Sequence, residues 1–273
     1  MIDAHQHFWR IGKNDCAWPG VDLPAIHRDF EPFELDALAR AAGVEGTVLV
    51  QSQPSDHDTD YLLQLAEATP MVRAVVGWVD LASPDASARI AELAARPKFR
   101  GVRPMLQSLS EDDWVLKPEL APAVAALVEH GLSLDALVRP RHLPALETLA
   151  RRNPGLAIVI DHAAKPDIAG GGHSAWRAAL APFAHLTNVC CKLSGLLTEC
   201  AAGQGDAELR PYVADLLELF GPDRLMWGSD WPVLNLVSDY ATWLAMAQAL
   251  VRPAGEHAVA AVFGRTAHSF YRF

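Results

Sequence analysis

Two histidines and an aspartate carry the chemistry this chain could do. His5 and His7 stand two residues apart in Ile2-Asp3-Ala4-His5-Gln6-His7-Phe8-Trp9. Side chains alternate faces along a strand, so the two imidazoles should point the same way. Asp230 follows the apolar run Leu225-Met226-Trp227, spaced by Gly228-Ser229 and succeeded by Trp231-Pro232. A carboxylate ionised at neutral pH beside two neutral imidazoles can take a proton from water, hold a divalent cation, or do both. His5, His7 and Asp230 are therefore the candidate ligands of one divalent metal, zinc first, because a zinc left one short of four protein ligands keeps a place for water. The plainer alternatives are ordinary hydrogen-bonded histidines and a turn aspartate before Trp-Pro.

These residues can meet only if distant segments of the chain are neighbours. Eight apolar, β-branched runs are spaced along it: 1–7, 46–51, 72–79, 99–103, 132–138, 157–162, 188–193 and 224–228. Helical patterns separate them: Pro32–Ala42, Asp58–Ala68, Pro84–Ala95, Pro118–His130, Leu143–Arg152, Ser174–His185, Glu208–Phe220 and Asp239–Val251, with Gly255–Phe270 closing the chain. Asp58 and the pair Ser83-Pro84 read as helix starts, and Gly43, Gly131 and Gly221 as helix stops. Eightfold alternation of strand and helix predicts an α/β fold, a (β/α)8 TIM barrel, with residues 1–273 as one domain.

Barrel enzymes carry their sites at the C-terminal ends of the strands. Polar groups gather there: Gln51, Trp78 with Asp80, Arg103, Asp135 with Arg139, Asp161-His162, Lys192 with Ser194, and Asp230. A lysine in an apolar strand is costly to bury alone, so Lys192 is either ion-paired inside the barrel or a stabiliser of negative charge in a reacting carbonyl. Arg103 has the same two readings. His162 can be a ligand, a proton-transfer partner or a core residue. Gln51, Trp78 and Trp231 are candidate substrate contacts, the tryptophans offering ring faces on which a sugar can stack, although an aromatic at a strand end is often core. His130, His142, His185, His257 and His268 lie on or beside helices and read as surface residues. The long connection from Arg10 to Asp29, with Trp18, Pro19, Pro24 and His27, should shape a pocket. Gly170-Gly171-Gly172 lacks the strand and helix context of a phosphate loop.

Composition narrows the partners. Apolar residues are 51% of 273, enough for a large core, and 33 acidic against 23 basic residues give a net charge of −10. That balance, with no basic stripe, argues against nucleic acid. No run of about 18 apolar residues suggests a membrane span, and no leader pattern is visible, so a soluble cytoplasmic protein is expected. Cys16, Cys190, Cys191 and Cys200 show no paired spacing and read as reduced thiols.

Taken in order, these stretches resemble the amidohydrolase superfamily, and within it the sugar lactonases of the L-fucono- and L-rhamnono-lactonase group. The resemblance runs through Asp3–Trp9, Gly46–Gln51, Val76–Leu81, Phe99–Arg103, Asp161–Pro166, Lys192–Leu196, Trp227–Val233 and Gly264–Ala267. It implies a barrel hydrolase of L-fucose-type catabolism that opens a small-molecule sugar lactone to the aldonic acid. His5 and His7 would line the metal or water position. Asp230 would move a proton from water to the departing ring oxygen. Lys192, Arg103 and His162 would polarise the carbonyl or hold hydroxyls. Some relatives open lactones without a metal, and a lactone is activated enough for a base with cationic donors to suffice. The chain departs from the group at Pro104, where a histidine often follows the Gly-Val-Arg motif, which bears on sugar preference. Other readings of the same scaffold are hydrolysis of a muconolactone or pyrone, metal-dependent decarboxylation of an aromatic acid, and a non-catalytic sugar-acid binder. A dianionic lactone would call for several pocket arginines, and only Arg103 and Arg139 lie near strand ends.

Overall fold

The eight apolar runs become eight parallel strands: β1 (Ile2–Gln6), β2 (Gly46–Val50), β3 (Val72–Gly77), β4 (Phe99–Val102), β5 (Ser133–Ala136), β6 (Ala157–Ile160), β7 (Val189–Leu193) and β8 (Leu225–Trp227). The computed structural model describes residues 1–273. Each strand pairs with its successor in sequence. β2, β5 and β7 are buried along their whole length, as expected where helices cover the outside of a parallel sheet. The helices are α1 (Pro32–Ala41), α2 (Asp56–Ala68), α3 (Ala86–Ala94), α4 (Ala121–Glu129), α5 (Leu143–Arg152), α6 (His173–Leu180), α7 (Asp206–Phe220) and α8 (Tyr240–Val251). The protein is a (β/α)8 barrel.

The two helix starts read from Asp58 and from Ser83-Pro84 differ in the structure. α2 begins at Asp56 under Ser55, whose Oγ accepts the Asp58 N–H at 3.3 Å. Asp58 instead turns its carboxylate back to accept the N–H groups of Ser52 and Gln53, at 3.0 and 3.2 Å, and so fixes the loop after β2. α3 begins at Ala86 rather than Pro84, because Ser83 Oγ accepts the Asp85 N–H in a local turn. The closing segment is also broken. It runs as α9 (Glu256–Ala260), a π-helical turn (Ala261–Arg265) and α10 (Thr266–Tyr271). α10 sends Ala267 and Tyr271 against Ala4, Val48, Val50, Ala74, Val76, Val159 and Met226, an apolar cluster distinct from the larger one that holds the helices onto the barrel.

The seam between β1 and β8 is the part of the barrel that a strand ladder does not close. Asp3 closes it. Its Oδ1 accepts the N–H of Ser229 at 2.8 Å and of His5 at 3.2 Å, and its Oδ2 accepts the Tyr240 hydroxyl at 3.1 Å. Beyond it, the Asp230 N–H donates to the His5 carbonyl and the His7 N–H to the Trp231 carbonyl, each at 2.8 Å. Gly228 makes this approach possible, since a Cβ there would stand 2.6 Å from His5 Cβ.

Burial pushes the Asp3 carboxyl up to about 6, against the hydrogen bonds from Ser229, His5 and Tyr240 that pull it down. The folded state thus holds this proton more tightly than the unfolded chain, so the contribution is full below pH 3.8 and is lost as pH rises to about 6. A gap of roughly two units is worth about 3 kcal/mol at most. Asp3→Asn keeps an acceptor for Ser229 and His5 without the charge. Its unfolding free energy relative to the parent, from urea titrations, should rise by up to about 3 kcal/mol between pH 4 and pH 7. A difference that does not vary with pH would contradict this account of Asp3.

Candidate active site

β1 is not a straight strand where the histidines sit. Asp3 pairs with Thr47 and Gln6 with Leu49, so three steps on β1 oppose two on β2. This bulge lets Ala4 pack into the apolar floor of the barrel while the adjoining His5 also reaches inward, to Lys192. His7 Nδ1–H donates to the Val50 carbonyl at 2.8 Å, which leaves Nε2 as the acceptor of the neutral ring. That Nε2 lies 3.2 Å from His5 Nε2 and 3.3 Å from Asp230 Oδ1, and His5 Nε2 lies 3.7 Å from the same oxygen. His162 completes the group. Its Nδ1 meets Ser194 Oγ at 2.9 Å and its Nε2 stands 3.9 Å from Asp230 Oδ1.

Both Asp230 and His162 are held in left-handed backbone, with φ of 58° and 51°. The left-handed stretch continues through Ala163, Ala164 and Lys165. Each such non-glycine residue costs about 1–2 kcal/mol, and this strain is concentrated at the strand ends. Gly195 serves His162 as Gly228 serves His5, since a Cβ at Gly195 would meet His162 Nδ1 at 2.6 Å.

Burial pushes His162 down to about 4 and His5 well below the usual imidazole range, so both rings are neutral at pH 7. Burial alone would raise Asp230, but the attraction of the facing histidines in their protonated form, His162 first, outweighs it and holds the carboxyl well below the usual range, so it is ionised at pH 7. No lysine or arginine pairs with Asp230; its ion-pair partners are the three histidines.

A layer of charge lies below. Lys192 Nζ donates to Asp135 Oδ2 at 2.7 Å and lies 3.0 Å from Asp161 Oδ1 and 3.2 Å from His5 Nδ1. The Tyr271 hydroxyl donates from beneath to the same Asp135 oxygen at 2.6 Å. Burial pushes Asp135 up against the pull of Lys192, whereas for Asp161 the attraction of Lys192 outweighs burial and holds it low. Arg103 reaches Asp161 Oδ2 at 3.4 Å and donates to the Gln51 carbonyl, and its Nε–H has no partner within the protein.

Above this layer opens a cleft of about 400 Å³. His7, Arg103, His162 and Asp230 line it, together with Trp18, Gln53 and Lys165. The structure thus brings His5, His7, Asp230, His162 and Arg103 together at one barrel mouth, and corrects other sequence expectations. Lys192 does not face the cleft; it is fully buried between two carboxylates and reaches the site through His5 and, by way of Asp161, Arg103. Gln51 is buried too, with its amide donating to the Arg103 carbonyl at 2.8 Å, so it supports Arg103 rather than lining the cleft. Neither Trp78 nor Trp231 lines the cleft; Trp231 is 2% exposed and packs edge-on against Phe8 and Phe30. His142 is not a surface residue, because its Nδ1 accepts the Arg139 N–H at the buried start of α5. Trp18, Gln53 and Lys165 were not assigned a role from sequence, although the length of the Arg10–Asp29 loop pointed toward Trp18.

The donor set fits a divalent metal. Ligands about 2.0–2.2 Å from a tetrahedral zinc stand about 3.3–3.6 Å from one another. The separations among His5 Nε2, His7 Nε2 and Asp230 Oδ1 are 3.2, 3.3 and 3.7 Å. These three atoms converge on one point.

The chain matches the amidohydrolase family over residues 2–273. It is 54% identical to an L-fucono-1,5-lactonase of Burkholderia ambifaria, over 99% of this chain and 95% of that one. It is 38% identical to an L-fucono-1,5-lactonase of Burkholderia multivorans, over 88% and 84% of the two chains. A crystal structure of an amidohydrolase from Burkholderia multivorans with bound zinc superposes with a TM-score of 0.93 at 35% identity, covering 100% of this chain and 99% of that one.

Removing the Lys192 charge leaves two buried carboxylates facing each other. Lys192→Met should lower the unfolding free energy by about 3–5 kcal/mol in urea titrations at pH 7. A loss below about 1 kcal/mol, the range of an exposed pair, would mean that the charged layer is not what holds the barrel interior.

Proposed function

On the footing that the chain belongs to the amidohydrolase family, we propose that it hydrolyses a 6-deoxy sugar lactone of the L-fucono-1,5-lactone kind, with Asp230 as general base. The observation that carries this reading is an ionised, buried carboxylate on the floor of a small cleft, faced by imidazoles instead of by a cation. Such a carboxylate is free to accept a proton.

The step follows from the arrangement. A water at the floor attacks the lactone carbonyl carbon as Asp230 takes its proton. Negative charge develops on the carbonyl oxygen, and the Arg103 guanidinium is the charged donor beside it in the cleft. The ring C–O bond then breaks, and Asp230 returns the proton to the departing oxygen. The acid formed loses its own proton at neutral pH, so one proton appears in solution for each lactone opened. His162, neutral at pH 7 and anchored on Ser194, is placed to accept a substrate hydroxyl proton or to orient the water. His5, His7 and Asp230 would hold a divalent metal, which when bound would lower the pKa of a water and polarise the carbonyl.

The charges of the cleft favour a neutral substrate over a dicarboxylate. Its two cations are already matched, Arg103 by Asp161 and Lys165 by Glu199 at 3.1 Å. Arg139 is exposed and lies outside the cleft.

Acid release from L-fucono-1,5-lactone in weakly buffered indicator solution tests the reading. The parent protein should turn the lactone over, and Asp230→Asn should cut kcat at least ~100-fold, the low end for loss of a general base. Near-parental turnover in that variant would reject Asp230 as the base. For the metal, His5→Ala/His7→Ala should lose co-purifying zinc measured by plasma mass spectrometry, and zinc retained at the parental level would reject this ligand set.

A further inference from the structure

An aromatic series runs from the β1–β8 seam to the rim of the cleft. Phe8 meets Trp231 at 6.1 Å between ring centroids, Trp231 meets Phe30 at 5.2 Å, Phe30 meets Trp9 at 5.5 Å and Trp9 meets Trp18 at 5.4 Å, all edge to face. The inner members are buried. Trp18, the last, is 39% exposed and lines the cleft. Trp9 thus supports one side of its indole, and Trp18 borders the cleft.

Trp18 sits in a long loop, yet its backbone is held as firmly as a strand's. The buried amide of Gln53 donates to the Trp18 carbonyl at 2.8 Å and accepts the N–H groups of Ala17 and Trp18 at 3.2 and 3.3 Å. Gln53 therefore pairs with Trp18 as a neighbouring peptide group would. Asp15, three residues earlier, accepts hydrogen bonds from Ser55, which caps α2, and from His57 in its first turn. Pro54 continues the apolar surface beside Trp18, while Lys165, paired with Glu199, lies over β6 on the far side of the barrel mouth. Over β1–β2, Trp18 and Pro54 are the apolar part of the lining, beside His7, Ser52 and Gln53, and the Lys165–Glu199 pair lies over β6.

We propose that Trp18, held by Gln53, is a specificity-determining residue: its indole forms the apolar wall against which the C–H face and terminal methyl group of a deoxy-sugar lactone pack. This rests on the lactonase reading above and deepens it. Aromatic faces take up apolar surface at little cost in conformational freedom. A hydroxyl on the terminal carbon would be turned against the indole and would lose its water for no partner. Gln53 is a positioning residue, since it acts through the Trp18 backbone.

The test compares L-fucono-1,5-lactone with L-galactono-1,5-lactone, which differs only by a hydroxyl on the terminal carbon. The parent should favour the deoxy lactone in kcat/KM by about 10-fold to 100-fold, the range an apolar pocket achieves against an added hydroxyl. Trp18→Ala should raise KM for the deoxy lactone about tenfold with kcat changed less than about threefold, and should bring the two substrates within about threefold of each other. Trp18→Phe should keep most of the preference, and Gln53→Leu should reduce it in the direction of Trp18→Ala. A preference unchanged in Trp18→Ala, or kcat falling in parallel for both lactones, would overturn the proposal and leave Trp18 as packing for Trp9. A parent inert toward both lactones would instead reject the lactonase reading itself.

Discussion

A lysine ammonium at the centre of the barrel, with a carboxylate on either side, is the constraint on which the rest depends. Lys192 has no access to water and is satisfied by Asp135, Asp161 and the Nδ1 face of His5. Desolvating such a charge costs several kcal/mol unless partners surround it. The strands therefore have to arrive in a register that brings β1, β5, β6 and β7 to one point. The same contacts orient His5, and His5 sets the position from which His7 and Asp230 are measured. From below, Tyr271 ties the carboxylate of Asp135 to the helix that plugs the barrel. Apolar floor, charged layer and open cleft are stacked in that order, and each layer fixes the one above it.

The second organising feature is where the structure stores strain. Asp230 and His162 both sit in left-handed backbone, and two glycines allow close approach in the site, Gly195 to His162 and Gly228 to His5. Neither conformation is one these residues would choose alone. They persist because backbone hydrogen bonds of the β1–β8 seam and the turn after β6 overdetermine them. The result is a carboxylate and an imidazole aimed at a common point without a cation between them. That is a costly arrangement for an inert barrel and a useful one for moving a proton.

Charge also explains what the cleft suits. The protein carries a net charge of −10, its cleft cations are individually paired, and Asp230 keeps its negative charge. A neutral ring bearing hydroxyls is the matching occupant. Once opened, the product is an anion in the presence of that carboxylate, so electrostatics favour its departure. In the proposed reaction, Trp18 supplies shape at the rim where the charged groups below supply chemistry.

The sequence by itself determined the barrel, because strand and helix record inside and outside with periods of their own, and eight alternations admit few closures. It also placed His5, His7, Arg103, His162 and Asp230 at strand ends, which the barrel brings to one mouth. Tertiary structure decided the rest. Lys192 reads in sequence as either an internal ion pair or a donor to substrate, and only the arrival of Asp135 and Asp161 from other strands selects the first. Trp231 and Trp78 looked like sugar-stacking residues because they end strands. The ring that reaches the cleft is Trp18, from a loop whose path is set by a glutamine 35 positions away. The bulge in β1 and the left-handed turn after β6 likewise leave no local pattern. They arise from contacts between segments far apart in the chain, and periodicity, being local, carries no record of them.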